Sequence, residues 1–309
     1  MSESVKTASS PAEGLLDRFR ARRPLRAGSI IVTVFGDAIA PHGGTVWTGS
    51  LLPLLAALGI SETLARTALS RLAGDGLLVA HRHGRRSDYS LTAEGQRKFE
   101  QATRRIYGPM PRTESAEWGM LSLQGLPPAR RDEMRRKLSW LGFGDLSPSL
   151  QVHPRLDDKL MEAVSALNGG DFLYLHGAVI GGGTPARRRD FAAACWDLGG
   201  LAGAYRRFHA DYAPLAADAV AVADPLQALL LRLALIHDYR RIILRDPLLP
   251  QSFLPEDWPG YAVHEICAGL YRRLAPLAES WITANLSTAT GPLPPPDGRF
   301  ARRFDADFA

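Results

Sequence analysis

The sequence predicts a mixed α+β chain in several parts, and three observations predict it. Its 309 residues exceed what one ordinary core organises. Apolar residues make up 46% and charged residues 22%, a globular rather than a disordered composition. The periodicity also changes along the chain, from short helix and hairpin signals, through alternating strands and helices, to nearly continuous helix. The expected borders are 28–108, 116–180 and 185–285, with 1–27 and 286–309 as flexible tails.

Charge is unevenly spread. Residues 1–108 hold 15 Lys and Arg against 9 Asp and Glu, a net +6, whereas the remainder holds 22 against 23. All of the net basicity therefore lies in the first third, which points to an anionic partner there. Two distant cysteines, Cys195 and Cys267, without CxxC spacing, argue for a reducing compartment and against structural zinc. The polar start "MSESVKTASS" has no apolar signal core, and "LQALLLRLALI" is broken by Gln227 and Arg232 and is too short for a bilayer. A cytoplasmic protein without membrane contact is expected.

The first third punctuates itself. "SIIVTVF", Ser29 to Phe35, is β-branched and reads as a strand on propensity alone. Ser50 is placed to cap a helix "LLPLLAAL", with Pro53 in its first turn and Gly59 as a left-handed C-cap. Ser61 caps a second helix ending at Gly74, with Leu64, Ala68 and Leu72 as its expected buried face. Leu77 to Arg82 and Arg86 to Leu91 then form a hairpin turned by His83, Gly84 and Arg85.

Two short helices joined by a tight Gly-containing turn are the helix-turn-helix pattern, and the hairpin makes it a winged form. The second helix offers Thr63, Arg66, Ser70 and Arg71 to a major groove. The wing offers Arg82, His83, Arg85 and Arg86 to phosphates, for which guanidinium forks are suited and which no core requires. The partner so implied is double-stranded DNA.

Thr92 to Tyr107 reads as a charged helix, and "GPMPRTES" after it as a hinge. A strand "EWGMLSLQG", a helix Pro128 to Trp140, extended "FGDLSPSLQVH", a helix Arg155 to Leu167 and a strand "DFLYLH" follow, the order of a small ferredoxin-like α+β unit. "GAVIGGGTPARRR" lacks both GxxxxGK[ST] and a completed GxGxxG pattern and reads as an interdomain loop, with Arg187 to Arg189 able to meet an anion. Beyond it, three helices carry Tyr-Arg-Arg at Tyr205, Tyr239 and Tyr271. These are tyrosines at helix interfaces with snorkelling arginine neighbours, or an Arg and aromatic cluster for an anionic effector. The histidines His153, His176, His209, His237 and His264 have no metal-ligand spacing, and no Ser/His/Asp set stands out, so neither a metal nor a catalytic residue is assigned.

Together, "FGDAI" with its following Pro, Gly-Gly, Trp and "GSL", the "RTAL" and "RL" of the second helix, and "GRRS", Tyr and "LT" of the wing resemble the PaaX family of bacterial repressors of phenylacetate catabolism. "IHDYRRIILRDPLLPQSFLPEDWPG" and "LYRRLAP" are similar to its C-terminal domain. The resemblance implies that "SIIVTVF" is a helix and that the middle part is similar to Cas2 nucleases. The first middle strand runs Leu121, Ser122, Leu123 into Gln124 without the metal-holding acid of those nucleases, so no cleavage is expected. It also implies phenylacetyl-CoA or a related acyl-CoA as effector, with Tyr239, Arg240 and Arg241 of the "HDYRRI" segment as candidate contacts. A homodimeric, effector-released repressor is the favoured reading, and an acyl-CoA-processing enzyme fused to a DNA-binding domain is the alternative.

Overall fold

In this computed structural model, residues 10–111, 118–156, 158–168, 172–178, 182–217 and 222–308 are described. Parts of the expected hinge and of the "GAVIGGG" loop lie outside them. The chain divides into two compact units. The first takes Met1–Pro109, Phe208–Arg240 and His264–Ala309; the second takes Met110–Arg207 and Arg241–Val263. Long stretches of the helical C-terminal part thus share a unit with the N-terminal part, across the border drawn from the sequence.

The first unit opens with helix α1 (Pro11–Arg20), capped by a reciprocal Ser10 and Glu13 box that satisfies two orphan amides. Its Leu15, Leu16 and Phe19 are buried, so residues 10–27 are no flexible tail. Helix α2 (Ala27–Val34) continues through a π-turn at Phe35–Ile39. Ser29 to Phe35 is therefore helical, because burial of Ile30, Ile31, Val34 and Phe35 overrides the weak β preference. Strand β1 (Thr45–Trp47) leads directly into helix α3 (Thr48–Ala57). Ser50 is consequently inside α3 rather than its cap, bonded to the Trp47 carbonyl at 3.1 Å, and Pro53 lies in the helix interior. Helix α4 (Glu62–Gly74), strands β2 (Leu78–His83) and β3 (Arg86–Leu91) and helix α5 (Ala93–Tyr107) follow, with an antiparallel sheet ordered β1-β3-β2.

Residues 208–217 of helix α9 (Leu198–Ala217), 225–240 of α10 (Pro225–Ile243) and 264–285 of α11 (Gly260–Asn285) complete this unit. A buried charge network ties them to α2. Asp37, fully enclosed, accepts from Arg232 Nε at 2.8 Å, from Arg303 Nη1 at 3.2 Å and from the Tyr107 hydroxyl at 2.7 Å. Arg232 also reaches Glu279 at 2.6 Å, and Glu279 accepts from His42 at 2.9 Å.

The Pro-rich segment 286–308, expected as a flexible tail, is folded. Trp47 N–H donates to Ser287 O at 2.7 Å, Asp297 N–H to Pro41 O at 2.8 Å and Phe304 N–H to Tyr107 O at 2.9 Å. Leu293, Phe304, Phe308 and Arg303 are buried. A few well-spaced anchors and borrowed backbone partners order a segment whose composition alone reads as solvent-exposed.

His42 gives a pH test of this packing. Its Nδ1 faces the Pro294 carbonyl at 2.7 Å and its Nε2 faces the Glu279 carboxylate, two acceptors that only a doubly protonated ring satisfies. Burial opposes the charge, but the hydrogen bond to Glu279 and the one to Pro294 outweigh it and raise the His42 pKa above the usual 6.5. A raised folded pKa contributes stability that is complete below about pH 6.5 and is lost as pH rises through the folded value. Melting temperature is expected to fall over that window in the wild type, and His42→Gln to remove this pH dependence; an identical slope in the variant would refute it.

The second unit contains a four-stranded antiparallel sheet of β4 (Trp118–Ser122), β5 (Gly144–Ser147), β6 (Leu150–His153) and β7 (Leu173–Ala178), in the order β5-β6-β4-β7. Helices α6 (Pro128–Trp140) and α7 (Asp158–Asn168) are its crossovers, which is the ferredoxin-like βαββαβ order. Leu121, Met134, Leu138, Phe143, Leu156 and Val164 form its core. Helix α8 (Pro185–Cys195) adds Phe191 to an aromatic cluster with Trp118, Trp196 and Phe253.

Candidate nucleic-acid interface

The turn from α3 to α4 is short because Gly59 takes a left-handed φ of 87°, ending α3 without a Cβ clash. Ser61 Oγ then accepts from Leu64 N–H at 3.4 Å and starts α4. The buried positions of α4 are Ala65 and Leu69, flanked by half-buried Ala68 and Leu72. The face is thus rotated from the expected Leu64, Ala68 and Leu72, and Leu64 is 40% exposed. Small Ala65 lets α4 approach its neighbours closely, which the larger Leu64 would prevent.

Thr63, Arg66, Ser70 and Arg71 are all exposed, as is Thr67 between them. Arg66 is held by Glu62 one turn away at 2.7 Å. Arg71 has no ion-pair or side-chain hydrogen-bond partner among the described residues. Sequence reasoning missed Leu64 and Thr67 on this face. The signal for them was the alternative apolar spacing through Ala65, Ala68, Leu69 and Leu72.

Helix α4 packs against β2, and β2 turns into β3 through Gly84 and Arg85. Gly84, with φ of 61°, occupies the first turn position, where a residue with a side chain is strained. Arg82 and Arg85 are exposed and have no side-chain partner among the described residues. The other two wing candidates are engaged within the unit. His83 lies 3.6 Å from buried Asp88, and Asp88 accepts from Ala289 N–H at 2.8 Å. Arg86 stacks over the Trp47 ring at 4.8 Å and donates to the Ala289 carbonyl at 3.2 Å.

The residues suggested for an effector do not come together. Tyr239 is buried, its hydroxyl 2.8 Å from His264 Nδ1. Arg240 donates through Nε to Thr33 Oγ1 and through Nη2 to the Ser29 carbonyl, both at 2.7 Å. Arg241 is exposed and belongs to the second unit. Successive helical residues diverge by about 100°, so a contiguous Tyr-Arg-Arg cannot present all three to one ligand. Tyr205 and Tyr271 are buried as well, which makes the three tyrosines packing residues.

Both cysteines are buried. Burial pushes the Cys195 thiol up to about 11 and holds Cys267 well above the usual thiol range, so neither supplies a thiolate nucleophile near neutrality. Among the described residues no three His, Cys, Asp or Glu side chains converge on a metal position, and no helix is long and apolar enough to cross a membrane.

Residues 26–95 match the PaaX-like protein family, 127–188 the PaaX protein central Cas2-like domain, and 196–284 the PaaX-like protein C-terminal domain. The chain is 34% identical over 288 residues to the transcriptional repressor PaaX of Escherichia coli strain K12, covering 91% of this chain and 90% of that protein. The chain belongs to the PaaX family. Among solved structures, the PaaX-family chain is similar to the uncharacterized protein Rv0674 from Mycobacterium tuberculosis, with a TM-score of 0.51, 26% identity, and coverage of 80% of this chain and 96% of that one. The first PaaX-matched segment spans α2 to β3, and so carries every candidate contact on α4 and on the hairpin.

Proposed function

We propose that this chain is a DNA-binding transcriptional repressor of phenylacetate or related aromatic catabolism genes. What supports this reading is that Thr63, Arg66, Ser70 and Arg71 are exposed on α4, which packs against strand β2 of a hairpin whose Arg82 and Arg85 are exposed and have no side-chain partner among the described residues. The relationship to the E. coli repressor supplies the biological class. In this reading residues 28–108 form a winged helix-turn-helix in which α4 enters the major groove and the hairpin meets phosphates, with 116–180 and 185–285 as middle and C-terminal domains. The protein acts in the cytoplasm as a homodimer on a partly palindromic operator. An acyl-CoA such as phenylacetyl-CoA releases it by binding the DNA-free state more tightly than the DNA-bound one, since a ligand of equal affinity for both shifts nothing. The enzyme alternative finds no support in the buried, protonated cysteines.

The test is operator binding by fluorescence anisotropy, using promoter DNA from phenylacetate genes near this gene. Tight, sequence-selective binding that phenylacetyl-CoA relieves is expected, whereas phenylacetate and free CoA leave it unchanged. Arg66, once freed from Glu62, is the proposed base reader, so Arg66→Ala relaxes specificity at one position per half-site by about 1–3 kcal/mol. A uniform loss on all sequences would make Arg66 a phosphate contact. Binding no stronger than to random DNA would defeat the repressor reading, and free CoA released from phenylacetyl-CoA would favour an enzyme.

A further inference from the structure

The second unit holds a cleft of about 830 Å³ between the C-terminal half of α6, the start of α9 and the end of α10. That is ample for a nucleotide-sized ligand, since small-molecule sites run from about 300 to 1,000 Å³. Five arginines line it, at positions 135, 136, 207, 241 and 245, against three aspartates. The aspartates are already committed. Asp145 and Asp132 hold Arg135, at 2.7 and 3.6 Å, and Asp197 accepts from Gly200 N–H at 2.9 Å at the start of α9.

Arg136, Arg207 and Arg241 are exposed at the cleft and have no ion-pair or side-chain hydrogen-bond partner among the described residues. Arg245 sits over the Trp140 ring at 5.2 Å, and Trp140 is 66% exposed. Three guanidiniums without a carboxylate partner among the described residues, beside a solvent-facing indole which itself lies under a fourth, form a cationic surface with one flat ring in it. They match a ligand with several phosphate charges and one flat ring. Guanidinium forks take the phosphates, and the indole with its stacked arginine takes the ring.

We propose that this cleft binds the nucleotide end of a phosphate-bearing ligand, with Arg136, Arg207 and Arg241 on the phosphates and Trp140 against the base. The assignment of this end to the acyl-CoA effector rests on the function proposed above; occupancy of the cleft does not. No residue of the DNA-facing surface takes part, so loading the cleft and reading the operator are separable measurements.

The full-length protein is titrated with ADP, adenosine, inorganic pyrophosphate and phenylacetyl-CoA by calorimetry and by tryptophan fluorescence. ADP and phenylacetyl-CoA are expected to bind, with adenosine and pyrophosphate each at least tenfold weaker than ADP. Arg136→Ala/Arg241→Ala should weaken ADP at least tenfold while leaving operator affinity unchanged, and Trp140→Leu should remove the ADP-induced fluorescence change. Since these side chains are exposed, Arg136→Glu/Arg241→Glu serves as a second variant, with native circular dichroism checked first. No saturable ADP binding, or binding indifferent to both arginine variants, overturns the proposal. A loss of DNA affinity in the arginine variants also overturns it, by making the cleft a contact for nucleic-acid phosphates. ADP and phenylacetyl-CoA binding here with no operator release upholds the cleft and defeats the effector reading alone.

Discussion

Asp37→Ala is expected to leave the first unit largely unfolded at 37 °C. The carboxylate is fully enclosed and is the common acceptor for Arg232 and Arg303, both buried themselves. Removing one member of a buried charge set strands the others, and costs about 3–5 kcal/mol for a single pair. Here Arg303 loses its only carboxylate among the described residues, while Arg232 keeps Glu279 but loses the bond at Nε, and its Nη2 is already buried without a hydrogen-bond partner. A domain with total stability of about 5–15 kcal/mol tolerates little of this. Denaturant midpoints would show the loss. Replacing these three together, as Asp37→Ala/Arg232→Met/Arg303→Met, should recover part of it, because a buried carboxylate exchanged with both of its cations for apolar residues is often close to neutral, and Glu279 keeps His42 as partner. A single Asp37→Ala variant within about 1 kcal/mol of wild type would contradict the network's role.

That network also explains what the sequence could and could not convey. The "FGDAI" motif stands out in the sequence, and its aspartate proves to be the acceptor for arginines 195 and 266 residues away. No local pattern announces partners at that separation. Local chemistry, by contrast, was legible: Gly59, Ser61 and Thr92 turn or cap where their residue types require. The face of α4 was misjudged by one residue because alanines fit either register, and packing against neighbouring elements decides between them. The "SIIVTVF" helix needed the family resemblance, since burial rather than propensity forms it. Residues 286–308 read as solvated because their anchors are sparse in the sequence, yet they bond to β1, β3 and α5 through Ser287, Ala289 and Phe304. The arginine cleft was invisible in the sequence because α6, α9 and α10 each supply only part of it.

The hairpin arginines separate a proposed phosphate contact from a packing residue. Arg82 and Arg85 project from the hairpin with no partner among the described residues, so their guanidiniums are free to displace counterions from DNA. Each phosphate neutralised adds about 0.9 to the log–log dependence of affinity on salt. For the proposed homodimer, losing two contacts in each protomer, Arg82→Ala/Arg85→Ala is expected to flatten that slope by about 3.6. Between 50 and 200 mM salt this changes the wild-type advantage by about a hundredfold, equally on operator and random DNA. Arg86→Ala should behave differently. Its guanidinium is committed to the Trp47 ring and the Ala289 carbonyl, which pin residues 287–289 to the hairpin. Its loss is expected to lower melting temperature and leave the salt slope of the folded protein unchanged. If Arg82→Ala/Arg85→Ala keeps the wild-type slope while Arg86→Ala flattens it, the roles of these arginines are reversed, and the hairpin meets DNA through the face that here packs on Trp47.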